Sequence, residues 1–407
     1  MLRRLLNYGD KLYGISSMLD DFTDDRKQPQ IETSTVMRSS WVATLSRLGS
    51  LNALEQTQDN AFWRKWLKTT LPSAETIGRV MAKVKSKDIR RMIKRLYTKL
   101  KRNKALKPFI DGNYMLVVDG HEACASYLRS CDACLTRTIH AEGGDKIQYY
   151  HRHVTAMLVC DNFHLLLDVE PQKPGEDEVA AANRLFERVI KDYPQAFNII
   201  LADGLYARAP FIKMVLKNRK GMIAVLKDER RDLLQDARGL FASTEPCITY
   251  EDNGITYQCW DIEHFTSWEQ MDREMRVVRS LETKTVHRQR TETDETITSE
   301  WIWAATCSIR DMATKILVKI AHHRWDIEEQ GFNELCNQWH FDHVYTHQVD
   351  AMENFWLLTM LSYNIFQAFI NLNIKPEIRK EKSKIYWAQI IKACLYSGEP
   401  SYLQTSE

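Results

Sequence analysis

The sequence has no long uninterrupted apolar run and few of the residues that are typical of disordered chains. Only 10 of its 407 residues are proline and 44% are hydrophobic, so the composition predicts a folded chain. The most apolar late stretch, residues 355–372, contains polar residues at Ser362, Asn364, Gln367 and Asn371. We therefore expect this stretch to form a buried helix, and we expect no membrane partner.

The nine cysteines do not form a recognisable disulfide framework, because their spacing is irregular in a long sequence. Residues 1–6 combine arginines with leucines, but no sustained apolar run follows them. No secretory signal is therefore expected, and a reducing, cytoplasmic environment is the predicted location.

One cysteine pair differs from the others. Cys131 and Cys134 have the Cys-x-x-Cys spacing of zinc ligands. Two interpretations stay open, a structural Zn²⁺ site or two ordinary cysteines in a loop, and neither gives the pair a catalytic part. Other residues of ligand type occur nearby in the sequence: His121, Cys124, His140, His151 and His153.

Acidic residues are nearly absent from one basic stretch. Between Arg79 and Lys107, thirteen lysines or arginines accompany a single acid, Asp88, although the whole chain has a net charge of only +2. Helical spacing gathers the basic side chains on one broad face, which suits contact with DNA phosphates; a solvated surface helix is the alternative. The predicted phosphate contacts include Arg90, Arg91, Lys94 and Arg95.

Two buried strands are each expected to end in an aspartate. The apolar runs at 115–118 and 199–202 are followed directly by Asp119 and Asp203. Catalytic groups are commonly placed at the carboxyl ends of strands, where an α/β sheet opens a crevice. A third acid, Glu328, lies in a downstream segment with helical spacing. Together the three carboxylates form a candidate site for two divalent metal ions.

The order of the elements around these acids predicts the fold class. It resembles an α/β, ribonuclease-H-like core, which places metal-binding acids on its first and fourth strands. Asp119 and Asp203 occupy those two positions. The expected elements are strands at 114–118, 154–160 and 164–170, a helix at 178–192, the strand ending in Asp203, a helix at 209–217 and a strand at 222–227.

The rest of the chain is predicted to add modules to this core. Short β-type runs flank Asn253 and Gly254, a strong hairpin signal, and indicate an all-β insertion. The predicted organisation is a helical, basic, DNA-binding N-terminal region at 1–110, the first part of the core at 111–244, the β insertion at 245–300, the remainder of the core with the glutamate helix at 301–350, and a C-terminal helical region at 351–407.

Two features near the third acid each have two interpretations. Trp301 and Trp303 alternate with Ile302 and share one face of a predicted strand, where they either stack on an unpaired DNA base or belong to the core. Arg324 and Glu328 share a helix face, so Arg324 is either a weak salt-bridge partner or a clamp on a DNA phosphate.

These features together resemble the DDE transposases of bacterial insertion sequences, specifically the group with a Tyr-Arg-Glu-Lys signature and a β insertion. The resemblance implies that Asp119, Asp203 and Glu328 are catalytic ligands of Mg²⁺ or Mn²⁺, and that Arg324 contacts DNA. It covers residues 111–347 and rests on four pieces: Val117-Val118-Asp119-Gly120, Gly175-Glu176-Asp177-Glu178, Leu201-Ala202-Asp203-Gly204-Leu205-Tyr206 and Arg324-Trp325-Asp326-Ile327-Glu328.

The implied function is DNA transposition: endonucleolytic cutting at the ends of an insertion sequence, followed by joining to target DNA. The implied partners are terminal inverted repeats, target DNA and a second copy of the chain, in the nucleoid of a bacterial cytoplasm. The signature's tyrosine and lysine positions are occupied by Ala321 and Leu335. Two alternatives follow: a metal-dependent nuclease that cuts without joining, and a DNA-binding protein that descends from a transposase but has lost catalysis.

Overall fold

The computed structural model describes residues 1–228, 231–288 and 292–396. The chain is mixed α/β and forms two compact units. Residues 1–107, residues 120–194 and the chain from Glu328 onward belong to the first unit, and residues 108–119 and 195–327 belong to the second. Each unit is assembled from separate stretches of the chain.

The first unit begins with helices, as the spacing of its apolar residues predicts. The last of these, α7, buries Ile93, Leu96 and Leu100 and leaves most of its basic side chains on the outer side. The helices are α1 (Leu2–Tyr13), α2 (Ile15–Asp20), α3 (Thr33–Leu45), α4 (Leu51–Glu55), α5 (Ala61–Leu67), α6 (Ala74–Met81) and α7 (Ser86–Arg102).

An antiparallel β element and a helix follow in the first unit. β2 pairs with β3 and β3 pairs with β4, and α8 packs on β3 and β4. α8 has the predicted bounds, and Asp177 caps it by accepting a hydrogen bond from the N–H of Ala180. The sequence did not predict β2. The bounds are β2 (Leu135–Ile139), β3 (Lys146–Val159), β4 (Leu165–Pro171) and α8 (Glu178–Asp192).

The apolar helix α13 (Val349–Asn373) packs against β4, α7 and α3 of the first unit. It is long and apolar enough to cross a membrane by length and composition, but 89% of its most apolar window is buried inside the structure. Its polar side chains bond to its neighbours: Asn364 accepts from the N–H of Leu166 at 2.9 Å and donates to the Leu166 carbonyl at 2.7 Å. These contacts are typical of a core helix, because buried amides need protein partners.

The second unit contains a large mixed sheet. The first residues of β1 pair in parallel with β5, and β5 pairs in parallel with β6. From β6 the sheet continues in the order β10, β9, β8 and β7, with antiparallel pairings. The strands are β1 (Met115–Ser126), of which only the residues through Asp119 belong to this unit, β5 (Ile199–Ala202), β6 (Gly221–Val225), β7 (Ile248–Asp252), β8 (Ile255–Phe265), β9 (Met275–Arg288) and β10 (Thr293–Ala305).

The strands of the predicted β insertion belong to a larger sheet. The hairpin at Asn253 and Gly254 is present, with φ angles of 51° and 74° and a two-residue connection between Asp252 and Ile255. However, β10 pairs with β6. The four strands therefore extend the sheet of the second unit instead of forming a sheet of their own.

The segment with the third acid is helical, but it is not one regular α-helix. After α11 (Thr314–His322) the chain makes a 3₁₀ turn (His323–Trp325), then a π-helix (Ile327–Asn333), and then α12 (Glu334–Trp339). π-helical stretches are rare and often occur at functional sites. The other helices are α9 (Ala209–Lys217), α10 (Asp232–Ala242), α14 (Pro376–Glu381) and α15 (Lys384–Leu395), with a 3₁₀ turn at Gly204–Tyr206.

Candidate active site beside two parallel strands

The structure brings Asp119 and Asp203 together in the second unit. β1 and β5 pair in parallel as far as Val118 and Ala202, and the two aspartates are the next residues. Asp203 directly follows the end of β5, whereas β1 continues to Ser126, so the prediction that the first strand ends at Asp119 is wrong. Neighbouring strands lie about 4.8 Å apart, and the two carboxylates therefore leave the sheet from adjacent positions. Their side chains are 15% and 25% exposed, respectively.

The end of β6 adds a cation beside Asp203. The Nζ atom of Lys227 lies 2.9 Å from Oδ1 and 3.0 Å from Oδ2 of Asp203. Burial alone would raise the pKa of Asp203, but hydrogen bonds from Lys227 and the Gly204 N–H, with the charges of Lys227 and Arg324, lower it. Asp203 is therefore ionised, as a metal ligand must be.

Two details of Asp203 bear on metal binding. Its Oδ1 atom is enclosed and accepts no hydrogen bond within the described part of the chain, although Lys227 is close to it. The following residue must be small, because a Cβ on Gly204 would lie 3.0 Å from the Val225 carbonyl oxygen. The glycine thus lets the turn after β5 approach the end of β6.

Arg324 is directed at the first aspartate. It lies in the 3₁₀ turn with its side chain 7% exposed, and its Nη1 atom is 3.4 Å from Oδ2 of Asp119. Its guanidinium carbon lies 4.4 Å from the centroid of the Trp325 ring. This cation–π contact holds the guanidinium in place on one side.

The two predicted DNA-stacking tryptophans have different environments. Trp303 is 1% exposed, so it belongs to the core and is not available to a DNA base; this corrects the expectation for that residue. Trp301 is half-buried, and its ring lies 4.7 Å from that of Trp325 and 5.9 Å from that of His322. Trp301 thus belongs to an aromatic group beside Arg324.

Glu328, the third predicted acid, lies on the π-helix Ile327–Asn333. Its side chain is exposed. A helix with an exposed carboxylate in a wide turn can present that group to a ligand in solution.

The basic residues of α7 differ in their availability. Arg90 is 12% exposed and donates to Asp168 and Glu353, so its charge is used inside the first unit; this corrects its predicted DNA contact. Arg91 is 65% exposed and pairs with Asp88, one turn earlier. A surface depression is lined by Met18, Arg91, Lys94, Arg95, Thr98, Lys99 and Arg102. The basic face of α7 therefore exists without Arg90.

The first unit also gathers Cys131 and Cys134 with two histidines. One is His151, which lies near the pair in sequence, and the other is His347, which sequence reasoning did not find. The other residues considered have different contacts: His140 pairs with Asp145, His121 lies 3.1 Å from Cys336, and His153 is buried.

Sequence reasoning also missed Lys227, which pairs with Asp203, and Glu178, which lies against the residue after Asp119. Lys227 could have been found, because it follows the strand next to β5. Glu178, 6% exposed and paired with Arg152 at 2.8 Å, lies against Gly120. A Cβ on Gly120 would come within 2.2 Å of the Glu178 carboxylate, so glycine is required directly after Asp119.

Comparison with known families finds one family model that matches the chain. The model of the family described as Transposase DDE domain matches residues 129–365, more than half of the chain. The matched residues include Asp203, Arg324 and Glu328, and Asp119 precedes them. The comparison with curated proteins finds no matching relative.

Proposed function

We propose that this chain, which belongs to the DDE-domain transposase family, cuts DNA at the ends of an insertion sequence and joins the cut ends to target DNA. The observation that carries the proposal is the pair of aspartates at the point where the parallel pairing of β1 with β5 ends, with Arg324 and Lys227 beside them. The proposed core is ribonuclease-H-like, with β7–β10 as the elaboration of its sheet.

The residues present fit a divalent metal ion. Carboxylate oxygens are the ligands that Mg²⁺ and Mn²⁺ prefer. Asp203 supplies an ionised carboxylate with an enclosed oxygen, Oδ1, that accepts no hydrogen bond within the described residues. Asp119 supplies a carboxylate from the adjacent strand position. In the proposal Glu328 supplies the third.

Divalent ions held by Asp119, Asp203 and Glu328 would supply the activation of a water or a terminal 3′-hydroxyl and the stabilisation of the leaving oxygen of the phosphodiester. The protein's own residues then have distinct tasks. Asp119, Asp203 and Glu328 hold the ions. Arg324, fixed on Trp325, neutralises charge on the DNA phosphate.

In the proposal, Lys227 takes over part of the role of the signature lysine, because Leu335 occupies the position of that lysine. In the structure it pairs with Asp203 although its side chain is 64% exposed. An exposed lysine can exchange one anion for another at little energetic cost, because surface ion pairs are weak. We assign Lys227 to Asp203 in the free protein and to a DNA phosphate when metal ions occupy the carboxylate.

DNA contact away from the chemistry is assigned to Arg91, Lys94, Arg95 and Lys99 on α7. Trp301 remains a candidate for stacking on an unpaired base. Because both ends of an element must be held, the proposed active form is at least a homodimer on DNA.

The test uses the DNA that flanks the gene. Purified protein is incubated with labelled fragments carrying the terminal inverted repeats in Mg²⁺ or Mn²⁺, and nicked and joined products are resolved. Wild type should cut at the repeat tips and join them. Asp203→Asn and Glu328→Gln should do neither, whereas Asp236→Asn, an exposed aspartate on α10, should behave as wild type.

Two other outcomes favour different functions. Cutting without joined products would indicate a nuclease that lacks strand transfer. End-specific binding without cutting, unchanged by Asp119→Ala, would indicate a DNA-binding protein that has lost catalysis. This last function has to be tested because Ala321 and Leu335 occupy the positions of the signature tyrosine and lysine.

A further inference from the structure

We propose that Cys131, Cys134, His151 and His347 form a structural zinc site in the first unit. One ligand atom from each of these residues lies within 4.8 Å of the other three. This inference concerns residues outside the carboxylate site and does not depend on the DNA chemistry proposed above.

The distances between the four atoms match a tetrahedral zinc ion. With Zn–S of about 2.3 Å and Zn–N of about 2.05 Å, a tetrahedron has edges of about 3.8 Å for S···S, about 3.6 Å for S···N and about 3.3 Å for N···N. The two sulfurs lie 3.7 Å apart, and the two histidine Nε2 atoms lie 3.1 Å apart. Three of the four S···N distances are 3.4 Å, 3.3 Å and 3.5 Å, and the fourth, from Cys131 to His347, is within 4.8 Å.

A disulfide or a hydrogen-bonded cluster accounts for these distances less well. The S···S separation of 3.7 Å is far from the roughly 2.05 Å of a disulfide. Hydrogen bonds among thiols and imidazoles pair atoms two at a time and do not require all four to converge on one point. Two cysteines and two histidines are, in addition, a common ligand set of structural zinc.

The local backbone supports the cysteine pair. The N–H of Cys131 lies 3.3 Å from the Cys134 sulfur, and the N–H of Cys134 donates to the Cys131 carbonyl at 3.0 Å. Such N–H contacts to sulfur stabilise a thiolate, the form in which cysteine binds metal. Binding therefore releases the protons of the two thiols.

The site connects segments that are distant in sequence. The cysteines precede β2, His151 lies on β3, and His347 lies in the connection between α12 and α13, 196 residues after His151. The sheet pairing of Leu135 with Tyr150 already brings the cysteine loop to His151. The zinc ion would add the α12–α13 connection, which lies downstream of Glu328 and its π-helix.

Four protein ligands leave no open coordination position, so the site is structural and not catalytic. Its predicted ligand is Zn²⁺. The role is to fix the connection between α12 and α13 against the β2–β3 hairpin.

The first experiment measures metal content. Full-length protein, purified under reducing conditions from zinc-supplemented cells, should contain equimolar zinc by atomic emission. The Co²⁺-substituted protein should show the strong visible absorption of a tetrahedral site and thiolate-to-cobalt charge transfer. X-ray absorption of the wild-type zinc protein should give two sulfur and two nitrogen neighbours, a result that needs no variant to fold.

Matched variants test the ligands one at a time. His347→Ala should weaken zinc binding by more than the roughly 10–100-fold that loss of a second-shell group costs. His343→Ala, in the same connection, should not. Cys131→Ser should lose zinc and Cys124→Ser should keep it, and Asp203→Asn should keep full zinc content even if it abolishes DNA cleavage.

Three results would overturn the proposal. One is wild-type protein without zinc that takes up none when zinc is supplied. Another is a Cys131–Cys134 disulfide, found by mass spectrometry of protein purified under reducing conditions. The third is a zinc spectrum with only oxygen and nitrogen neighbours.

Discussion

Two pairs of carboxylates in this molecule lie beside basic side chains but differ in their ion-pair partners: Asp168 with Glu170 in the first unit, and Asp119 with Asp203 in the second. In the first unit, Asp168 receives Arg90 at 2.7 Å on one oxygen and Arg188 at 2.6 Å on the other. Glu170 is held in the same way by Arg184 and Arg188, each at 2.7 Å. These arginines leave the carboxylates 4% and 9% exposed.

The two carboxylates of the second unit are bonded differently. Arg324 approaches Asp119 only to 3.4 Å, and the partner of Asp203 is an exposed lysine. One oxygen of Asp203 accepts no hydrogen bond in the part of the chain that the structure describes. Burial and opposite charge occur in both places, so neither identifies a functional site. The two pairs differ in their partners: Asp203 pairs with one exposed lysine, whereas Asp168 and Glu170 are each held by two arginines. This difference supports the metal site proposed at Asp203.

The largest expected effect separates the two groups by activity. Asp203→Asn should lower strand transfer by about 10³-fold, because a metal ion supplies several kcal/mol to the transition state and about 1.4 kcal/mol corresponds to tenfold. Its free energy of unfolding should change little. Gel assays of cleavage and joining, with thermal denaturation of the same samples, check both parts. A large loss of stability in this variant would place Asp203 in the same class as Asp168.

The next effect separates neighbouring arginines of α7 by stability. Arg90→Ala should lower the free energy of unfolding by about 3–5 kcal/mol, because it leaves the buried carboxylate of Glu353 without its cation. Arg91→Ala should change it by less than about 0.5 kcal/mol, since this side chain is 65% exposed. Urea denaturation measures both. Equal effects would mean that the two arginines are not divided between the interior and the surface as described.

A smaller effect concerns the pH dependence of divalent binding. Lys227→Ala removes a hydrogen bond and a charge that lower the pKa of Asp203, so this pKa should rise from its lowered value. Because the metal needs the ionised carboxylate, the acid limb of Mn²⁺ binding should move to higher pH, while binding at neutral pH should tighten because a competing cation has been removed. Calorimetric titration with Mn²⁺ across the pH range checks this, with Lys213→Ala as control. An unchanged acid limb would remove Lys227 from the site.

The smallest effect concerns DNA affinity. Replacing Arg91 and Lys99 by alanine should reduce the slope of log K against log salt by about 0.9 for each phosphate that the protein no longer neutralises, equally for all DNA sequences. Fluorescence anisotropy at several salt concentrations measures the slope, and Lys11→Ala serves as an exposed control on α1. A slope that does not change would mean that α7 is a solvated surface helix.

Much of the fold was predictable where local signals agree. Both α8 and α9 have the predicted bounds, because Asp177 caps the first and Pro210 lies in the first turn of the second. β2 was missed because four of its five residues are polar or only partly buried, so its sequence lacks an apolar run. The sequence did not reveal that the strands of the predicted β insertion join a larger sheet, because the pairing of β10 with β6 joins distant residues.

The candidate site likewise combines residues that local sequence signals predicted with residues that only long-range contacts reveal. The positions of Asp119 and Asp203 directly after buried strand residues follow from two apolar runs that are visible in the sequence. The continuation of β1 to Ser126 was not predicted, because most residues after Asp119 are only partly buried. The partners of Arg90 lie at Asp168 and Glu353, far along the chain, so charge density alone placed this residue on the surface. His347 was missed for the same reason, since sequence distance hides a ligand that only tertiary packing brings to the cysteines.

The π-helix also affects how residues are counted from Glu328. A π turn closes its hydrogen bond to the fifth residue instead of the fourth, so Ile327–Asn333 holds more residues per turn than an α-helix. Seven residues make nearly two full turns of a regular α-helix, so the residue seven positions after Glu328 would lie on nearly the same face as Glu328. Each extra residue in the π turns shifts that position by about 100° around the helix axis, away from this face. The residue at that position is Leu335, whose side chain is fully buried. In this chain, residues that would share a face with Glu328 on a regular helix therefore have to be found from the structure and not by counting along the sequence.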